Sequence, residues 1–312
     1  MNSKGENTMT NKVVIIGSTN VNKIINVARF AKPGETLHVD NAQKIYGGGK
    51  GANQALATAR SNAQTTFISK VGNDGDADFM LEDFKAAQMN TDYIITTDEA
   101  ETGQAFITID EAGQNTILVY GGANMTLNEQ DVVQAEAAIA NADYIIAQLE
   151  VPVPAIIKAF TIARQHDVTT ILNPAPASEL SKALLQLTDI IIPNESEAEL
   201  LSGIPVTDRD SMHKNADYFL SLGMQVVLIT LGEQGTYYAT KEDANLIPAV
   251  KVHAVDTTAA GDTFIGAFAS RLNMENFNIE EAITYANKAA SIAVQTERDQ
   301  KSIPEEVTVL EQ

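Results

Sequence analysis

Residues 257–264, TTAAGDTF, place one carboxylate among small residues at the predicted start of a helix. Apolar residues recur at helical spacing from 264 to 272, so Ala260, Gly261 and Asp262 fall in the first turn. Small residues there leave backbone N–H groups open at the positive end of the helix dipole, where they would stabilise a transferring phosphoryl group. Asp262 would then lie within reach of the attacking hydroxyl, although an Asp in a first turn more often caps the helix.

The glycine-rich segment IYGGGKGANQA, residues 45–55, suggests a phosphate-binding loop, but its spacing matches neither nucleotide motif. A dinucleotide-binding loop would follow the first strand of a βαβ unit and precede an acidic residue about 20 positions on, and this segment does neither. A P-loop would have a hydroxyl residue after its lysine, whereas Lys50 is followed by Gly51. Two interpretations remain: backbone N–H groups, Lys50 and Asn53 donate to hydroxyls of a ligand, or the loop is a turn that caps a helix.

A third polar loop, PNESEAELLSG at residues 193–203, follows a buried apolar run and carries Asn194, Glu195 and Glu197. Ligands of α/β sheets bind at the carboxyl ends of strands, and Mg2+ prefers such oxygen donors, mostly through water. The alternative is a solvated helix start, where acidic residues are favoured by the helix dipole.

The elements that must position these loops alternate along the chain. Short β-branched runs predict strands buried on both faces, at 12–17, 65–72, 142–148, 168–173, 189–194 and 225–232. Helical patterns lie between and after them, at 50–61, 75–88, 128–141, 154–166, 195–201, 211–222, 260–274 and 278–294. The alternation predicts an α/β fold, a doubly wound sandwich around a mostly parallel sheet, and the segments 235–240 and 249–256 add two late strands.

Two segments interrupt the alternation, at 35–46 and 103–122, and the second has the pattern of a hairpin around DEAGQN. Together they predict a small antiparallel sheet that stands off the main one. Such a sheet has free edges and one apolar face, which a ligand or a partner subunit usually covers. We therefore expect a lid made of these two segments, on which a dimer could be built.

Composition limits the classes of partner. The chain has 312 residues, no cysteine and a formal net charge of −20 at pH 7. The charge argues against nucleic acid and anionic membranes as partners, and the lack of cysteine excludes disulfides and thiolate chemistry and fits a cytoplasmic location. No apolar run approaches the roughly 18 residues of a membrane span. We expect a flexible tail at 1–11 followed by one domain at 12–312.

Seven ordered segments resemble the landmarks of the ribokinase family of sugar kinases, also called the PfkB carbohydrate kinase family. They are GSTNVN with KPGETL, GGKGANQA, AQLE, LNPAPA, PNESEAE, ITLGEQG and DTTAAGDTF, and the similarity extends over about residues 12–305. The resemblance implies a three-layer sandwich with a protruding β lid through which two subunits contact. It also implies transfer of the ATP γ-phosphoryl group to the 5-hydroxyl of D-ribose, giving D-ribose 5-phosphate and ADP. A kinase for deoxyribose, another sugar or a nucleoside, or a weakened sugar-binding relative, is the alternative.

The resemblance also implies roles for individual residues. Asp262 would be the general base, and the N–H groups of Ala260, Gly261 and Asp262 would form the anion hole. The sugar would contact Asn20, Asn22, Gly49, Lys50, Gly51, Ala52, Asn53, Glu150 and Asp262. ATP would contact Asn194, Thr230, Leu231, Gly232, Glu233, Gln234, Gly235, Gly261, Asp262 and Asn287. Glu197, with Asn194, would belong to the region that organises the Mg2+ of MgATP.

The sequence departs from the family pattern at two places. Asn22 stands where the family usually has an Asp that binds sugar hydroxyls, and an amide in place of a carboxylate could lose about 1–2 kcal/mol per hydrogen bond. A monovalent cation such as K+ would be held by Asp256, Thr258, Ala293, Thr296, Arg298 and Ser302. Arg298 occupies the position of a glycine in that loop and brings positive charge, so we expect weakened or altered K+ activation.

Overall fold

The computed structural model describes residues 10–39, 43–296 and 300–312. Its strands in chain order are β1 (Lys12–Ile16), β2 (Asn20–Asn26), β3 (Lys44–Gly48), β4 (Gln64–Gly72), β5 (Ile94–Thr97), β6 (Gly103–Ile109), β7 (Asn115–Tyr120), β8 (Tyr144–Ala147), β9 (Thr169–Leu172), β10 (Ile190–Ile191), β11 (Val226–Thr230), β12 (Thr236–Ala239) and β13 (Ala244–Ile247). Its helices are α1 (Lys50–Arg60), α2 (Asp78–Ala86), α3 (Glu129–Gln134), α4 (Glu136–Ala140), α5 (Val153–Gln165), α6 (Lys182–Gln186), α7 (Glu195–Ser202), α8 (Arg209–Ser221), α9 (Ala260–Arg271), α10 (Ile279–Ala293) and α11 (Glu306–Glu311).

A nine-stranded sheet in the order β13-β12-β11-β10-β9-β8-β1-β4-β5 forms the centre of the described chain. β11 to β13 pair antiparallel at one edge, and the other pairs are parallel. Alternate residues of the central strand β1 face opposite layers. Val13 and Ile15 pack in a core with residues of α1, α9 and α10, whereas Val14 and Ile16 pack with residues of α3 to α5. The predicted α/β sandwich with a mostly parallel sheet is therefore confirmed.

A second sheet, in the order β3-β2-β6-β7, stands off the first and forms the lid. Its strands differ from the prediction, because residues 35–39 are not a strand, residues 40–42 lie outside the described residues, and the lid strand of this region is β3. β2 also belongs to the lid and pairs parallel with β6, so the sheet is mixed and not purely antiparallel. The sequence of β2, NVNKIIN, lacks a regular apolar alternation, which explains why the pattern did not predict it.

One further expectation from the sequence, the late strand at 249–256, was wrong. The segment 249–256 is not a strand, and the edge strand of the main sheet is β13, which ends just before Pro248. Proline lacks a backbone N–H and cannot extend the ladder, so the chain leaves the sheet there. At the end of the predicted tail, the side-chain amide of Asn11 donates to the carbonyls of Ala269 (2.9 Å) and Leu272 (2.7 Å). Residues 1–9 of the predicted tail lie outside the described residues.

Close backbone packing brings the starts of α1 and α9 to one end of the sheet. A Cβ atom added to Gly51 would lie 2.5 Å from the carbonyl carbon of Gly17, so the first turn of α1 rests directly on the chain that leaves β1. A Cβ atom added to Gly266 of α9 would lie 2.5 Å from the carbonyl oxygen of Gln54 in α1. Both positions therefore need glycine for packing, and the two helix starts meet at the carboxyl end of β1, where ligands of parallel sheets bind. In the described ranges, no helix is long and apolar enough to cross a bilayer.

Candidate active site

Helix α9 begins with backbone donors that its own side chains do not cap. Ala259, just before the helix, has a left-handed backbone with φ of 63°, and the helix has no side-chain cap hydrogen bond. The N–H of Ala260 donates to the carbonyl of Thr257 (3.2 Å), whereas those of Gly261 and Asp262 have no protein acceptor among the described residues. Of the three N–H groups predicted to form the anion hole, those of Gly261 and Asp262 are therefore available to a ligand.

Gly261 is not required by the packing of the protein itself. A Cβ atom added there would meet no heavy atom of the described chain within 4 Å. This contrasts with Gly266 on the same helix, whose missing side chain makes room for α1. The open space beside Gly261 lies next to two available N–H groups, which is the arrangement that an anionic group needs at a helix N-terminus.

The carboxylate of Asp262 is held by two consecutive residues of α1. Asn53 Nδ2 donates to Asp262 Oδ2 (3.0 Å), and Gln54 Nε2 donates to Asp262 Oδ1 (2.9 Å). The residue is only 8% exposed, so these two donors replace most of the water that an ionised carboxylate would otherwise bind. Asp262 does not cap its own helix, so the capping alternative raised from the sequence was wrong.

A layer of buried amides lies behind this pair. Gln148 Nε2 donates to Gln54 Oε1 (2.6 Å), Gln54 Nε2 also reaches Asn173 Oδ1 (3.2 Å), and Gln300 Nε2 donates to Asn53 Oδ1 (3.0 Å). None of Gln54, Gln148, Asn173 and Gln300 was among the predicted site residues. Gln148 and Asn173 directly follow β8 and β9, and a polar residue immediately after a buried parallel strand was the signal that could have found them.

Glu150 joins the loop after β8 to the start of α1. Its Oε2 atom accepts from Ser18 Oγ (2.5 Å) and from the backbone N–H of Lys50 (3.0 Å), the first residue of α1. Ser18 Oγ in turn accepts from the N–H of Gly51 (3.4 Å). A carboxylate at this place satisfies helix N-terminal donors and complements the dipole of α1. Glu150 therefore has a structural role beside its predicted contact with the sugar.

The lid contributes two asparagines from β2 to the same region. Asn20 and Asn22 share one face of the strand, and Asn20 Oδ1 accepts from Asn124 Nδ2 (2.7 Å). Asn22 pairs with Tyr46 of β3, and its side chain extends over Gly48, where an added Cβ atom would come within 2.4 Å of its Nδ2 atom. The next residue on this face is Ile24, in the small apolar cluster of the lid. The face is thus polar where the lid leaves the main sheet and apolar farther out.

Lys50 lies among three acidic side chains. The Asp262 carboxylate raises the pKa of Lys50, with smaller contributions from Glu150 and Glu197, while burial opposes the shift. The ammonium therefore stays protonated at neutral pH. Three carboxyl groups against one ammonium leave the site with an excess of negative charge, which a bound cation would reduce.

Most of the residues predicted to contact ATP lie at the start of α7, at the end of β11 and in the turn after β11. Asn194 and Glu197 form a capping box on α7, in which the N–H of Asn194 donates to Glu197 Oε2 (2.9 Å) and the N–H of Glu197 to Asn194 Oδ1 (2.8 Å). Burial raises the pKa of Glu197, against smaller lowering by the Asn194 N–H and by Lys50. The helix-start interpretation of this segment therefore holds, and it does not exclude a contact with Mg2+ through water.

The other residues predicted to contact ATP lie at the end of β11, in the turn after it and on α10. Thr230 ends β11 and is paired by a bridge with Asn194. A short 3-10 helix at Gly232–Gln234 leads into Gly235, which has a φ of 110°. Asn287 of α10 lies beside this turn, where its amide oxygen accepts from Thr236 Oγ1 (3.0 Å) and its nitrogen donates to the carbonyls of Ile247 and Pro248 (3.3 Å each). Asn287 thus connects α10 to β12 and to the end of β13 by hydrogen bonds. Its contact with ATP stays a prediction.

The predicted monovalent cation loop is only partly described. Asp256 Oδ1 accepts from the N–H of Thr258 (2.8 Å), and the N–H of Asp256 donates to the carbonyl of Val294 (3.1 Å), next to Ala293. The described part of the chain therefore brings the loop before α9 to the end of α10. Thr296 and Ser302 lie on either side of 297–299, and Arg298 lies outside the described residues. Within the described ranges, no cluster of three or more His, Cys, Asp or Glu residues could hold a metal ion.

Comparison with known proteins agrees with this geometry. The model of the pfkB family carbohydrate kinases matches residues 10–306. A ribokinase of Staphylococcus aureus (strain COL) is 65% identical over 296 residues, 95% of this chain and 97% of that protein. A deoxyribokinase of Salmonella typhi is 34% identical over 293 residues, 94% and 95% of the two chains.

A solved structure matches over a similar extent. The structure of Arabidopsis thaliana ribokinase complexed with ribose and ATP has a TM-score of 0.89 at 29% identity, over 97% of this chain and 98% of that one. The family match, the relatives and the solved structure each extend over nearly the whole length, including both sheets and both helix starts. The chain therefore belongs to the pfkB family of carbohydrate kinases.

Proposed function

We propose that this protein transfers the γ-phosphoryl group of ATP to the 5-hydroxyl of D-ribose, giving D-ribose 5-phosphate and ADP. The observation that carries the proposal is the start of α9, where the held carboxylate of Asp262 lies beside two available N–H groups and the open space at Gly261. The high identity to a ribokinase over nearly the whole chain supports ribose as the first choice of acceptor.

The proposed reaction places the sugar between Glu150, Asn53, Lys50 and the lid asparagines Asn20 and Asn22. The 5-hydroxyl oxygen forms a bond to the γ-phosphorus, its proton goes to the Asp262 carboxylate, and the bond from phosphorus to the β,γ-bridging oxygen breaks. Positioning and charge stabilisation carry most of such a transfer, so the N–H groups of Gly261 and Asp262 would hold the phosphoryl oxygens. The lid would limit the access of water to the site.

The nucleotide would lie along the turn after β11, with its phosphates directed to the start of α9. Bound Mg2+ would neutralise charge on the phosphates during transfer. Glu197 supplies an oxygen donor of the type that Mg2+ prefers, and in the described chain only its Oε2 atom is used by the capping box. We therefore assign Glu197 and Asn194 to the neighbourhood of the metal, through water.

An acceptor panel tests the proposed function. ADP release from MgATP is measured with ribose, deoxyribose, fructose and adenosine, each with and without K+, and ribose is expected to give the highest kcat/KM. Deoxyribose is the comparison of most interest, since a deoxyribokinase is among the relatives. Absence of turnover with every acceptor would contradict the kinase proposal, and a higher kcat/KM for another acceptor would contradict ribose. We expect weak stimulation by K+, because the cation loop carries Arg298.

Asn22 gives a test of the sugar contact. The change Asn22→Asp is expected to lower the KM for ribose by about 5- to 30-fold, corresponding to about 1–2 kcal/mol for the charged acceptor. The side chain already has its place against Gly48, so the change keeps the shape of the site. Steady-state kinetics at saturating MgATP give the KM, and Asn22→Ala is the control expected to raise it. An unchanged KM in both variants would mean that Asn22 does not contact the sugar.

The outer face of the lid supports a homodimer as a further part of the proposal. Ile45 of β3, Phe106 of β6 and Leu118 of β7 are 43–67% exposed, and they lie in one row with Lys23 of β2 on the face opposite Asn20 and Asn22. An exposed apolar sheet face of this kind is usually covered. Light scattering is expected to give twice the 33.5 kDa chain mass, and Leu118→Glu to give the monomer. A monomeric wild-type protein at micromolar concentration would rule out this dimer.

A further inference from the structure

Gln54 is a fully buried polar residue that lies between Asp262 and the end of a central strand. It is 0% exposed, and both ends of its amide are used. Its nitrogen donates to Asp262 Oδ1 (2.9 Å) and reaches Asn173 Oδ1 (3.2 Å), and its oxygen accepts from Gln148 Nε2 (2.6 Å). The side chain therefore connects α9, α1 and the ends of β8 and β9 in one network.

The chemistry of the partners fixes the direction of these hydrogen bonds. An ionised carboxylate only accepts, so the nitrogen of Gln54 must face Asp262. The oxygen of Gln54 then faces Gln148, whose nitrogen must face Gln54. The orientation of both amides thus follows from the charge of Asp262 and needs no further assumption.

Burying these amides costs desolvation free energy at a place where apolar side chains would also fit. The neighbouring residues Ala55 and Leu56 of α1 and Phe264 and Ile265 of α9 belong to the apolar core. A buried amide is tolerated there only because its hydrogen bonds are made, and a buried glutamine gives no packing advantage over leucine. The gain is geometric, because Asn53 and Gln54 each hold one oxygen of Asp262 and together prevent rotation of the carboxylate.

We propose that Gln54 is a positioning residue for the reaction, which orients the Asp262 carboxylate toward the attacking hydroxyl. Gln148 supports it from behind by fixing the direction of its amide. Gln54 does not contact the sugar or ATP in this arrangement, which separates it from Asn53. The inference rests on the proposed kinase function of the same site.

The first test compares Gln54→Leu with Thr58→Val. Thr58 is equally buried on the same helix, one turn farther from Asp262, and its hydroxyl donates only to the carbonyl of Gln54 (2.7 Å). Gln54→Leu is expected to lower kcat by about 10- to 100-fold, with KM for ribose and MgATP within about twofold of wild type. The acid limb of its pH–rate profile should move to higher pH, because an amide donor to the carboxylate is lost. Thr58→Val should keep the wild-type kcat and pH profile.

A second variant gives a signature that a purely structural role would not produce. In Gln54→Glu two carboxyl groups lie side by side, and they share a proton at low pH and repel each other when both ionise. The ratio of kcat in Gln54→Glu to kcat in Gln54→Leu is therefore expected to rise as the pH falls. Gln148→Leu, which leaves Gln54 unsupported, should give a smaller loss of kcat than Gln54→Leu.

The outcomes are distinct. Wild-type protein without turnover would contradict the proposed function itself. Turnover in wild type with an unchanged kcat in Gln54→Leu would contradict only the role of Gln54. A loss of kcat with a wild-type pH profile and a pH-independent ratio between the two variants would also overturn it, since that pattern indicates altered packing.

Discussion

Replacing Asp262 by asparagine is expected to lower kcat by a factor of about 10²–10⁴, the usual contribution of a positioned general base. The amide cannot take the proton of the attacking hydroxyl. The proposed contacts of the nucleotide along β11 and α7 do not involve this side chain, and the backbone N–H of residue 262, the proposed phosphate donor, is kept in the variant. The Kd for MgATP should therefore change little. Coupled ADP release measures kcat, and isothermal titration calorimetry measures nucleotide binding.

The same change should also lower the stability of the fold. Both oxygens of Asp262 accept from amide nitrogens, so in the variant one –NH2 group must face another donor, either from Asn53 or from Gln54. One such mismatch costs about 1–3 kcal/mol. Asp262→Ala serves as the comparison, because it removes the acceptor of Asn53 Nδ2 and leaves Gln54 Nε2 with Asn173 Oδ1 alone, and it should be less stable still. Retention of a tenth or more of the wild-type kcat in Asp262→Asn would contradict the assignment of the base.

The second large effect is expected from Gly261→Ala, which should lower the activity without lowering the stability of the fold. A methyl group there meets no described protein atom within 4 Å, so it enters the space that the phosphoryl group would use. We expect kcat to fall by about 10²-fold, comparable to the loss of one oxyanion donor. Alanine is a better helix residue than glycine by about 0.5–1 kcal/mol, so the melting temperature should stay equal or rise.

Gly266→Ala is the matched control on the same helix. Its methyl group would lie 2.5 Å from the carbonyl oxygen of Gln54 and force α1 and α9 apart, so it should lower the melting temperature. Thermal denaturation and steady-state kinetics of both variants give the comparison. A Gly261→Ala variant with full activity would show that the space beside this residue is not used by the substrate.

Much of the fold could be predicted because it depends on local patterns. The buried β-branched runs gave β1, β4, β8 and β11, since strands covered on both faces need continuous apolar sequence. β2 could not be found this way, because its pairing with β3 and β6 is fixed by tertiary contacts and its own sequence is half polar. The opposite error occurred at 249–256, which alternates like a strand although Pro248 has already ended the pairing.

The candidate site shows the same limit. Asp262 was singled out because small residues surround it at a helix start, and Glu150 because the segment AQLE resembles a landmark of the family. Gln54 and Gln148 were not, because their importance depends on partners far away in sequence, with separations of 208 residues for Gln54 to Asp262 and 94 for Gln148 to Gln54. A glutamine inside a helix has no local feature that distinguishes a surface position from a buried one, and only the packing of α1 on α9 supplies it.

The excess of carboxyl groups over ammonium groups around Lys50 would let the proposed ATP site discriminate between ATP and its magnesium complex. Free ATP carries more negative charge than its magnesium complex and would be repelled more strongly by Glu150, Glu197 and Asp262. The magnesium complex would enter the site with part of its negative charge already neutralised. ATP without bound metal should therefore compete only weakly with MgATP. The carboxyl groups, which disfavour an anionic substrate, would thus select the magnesium complex that reacts.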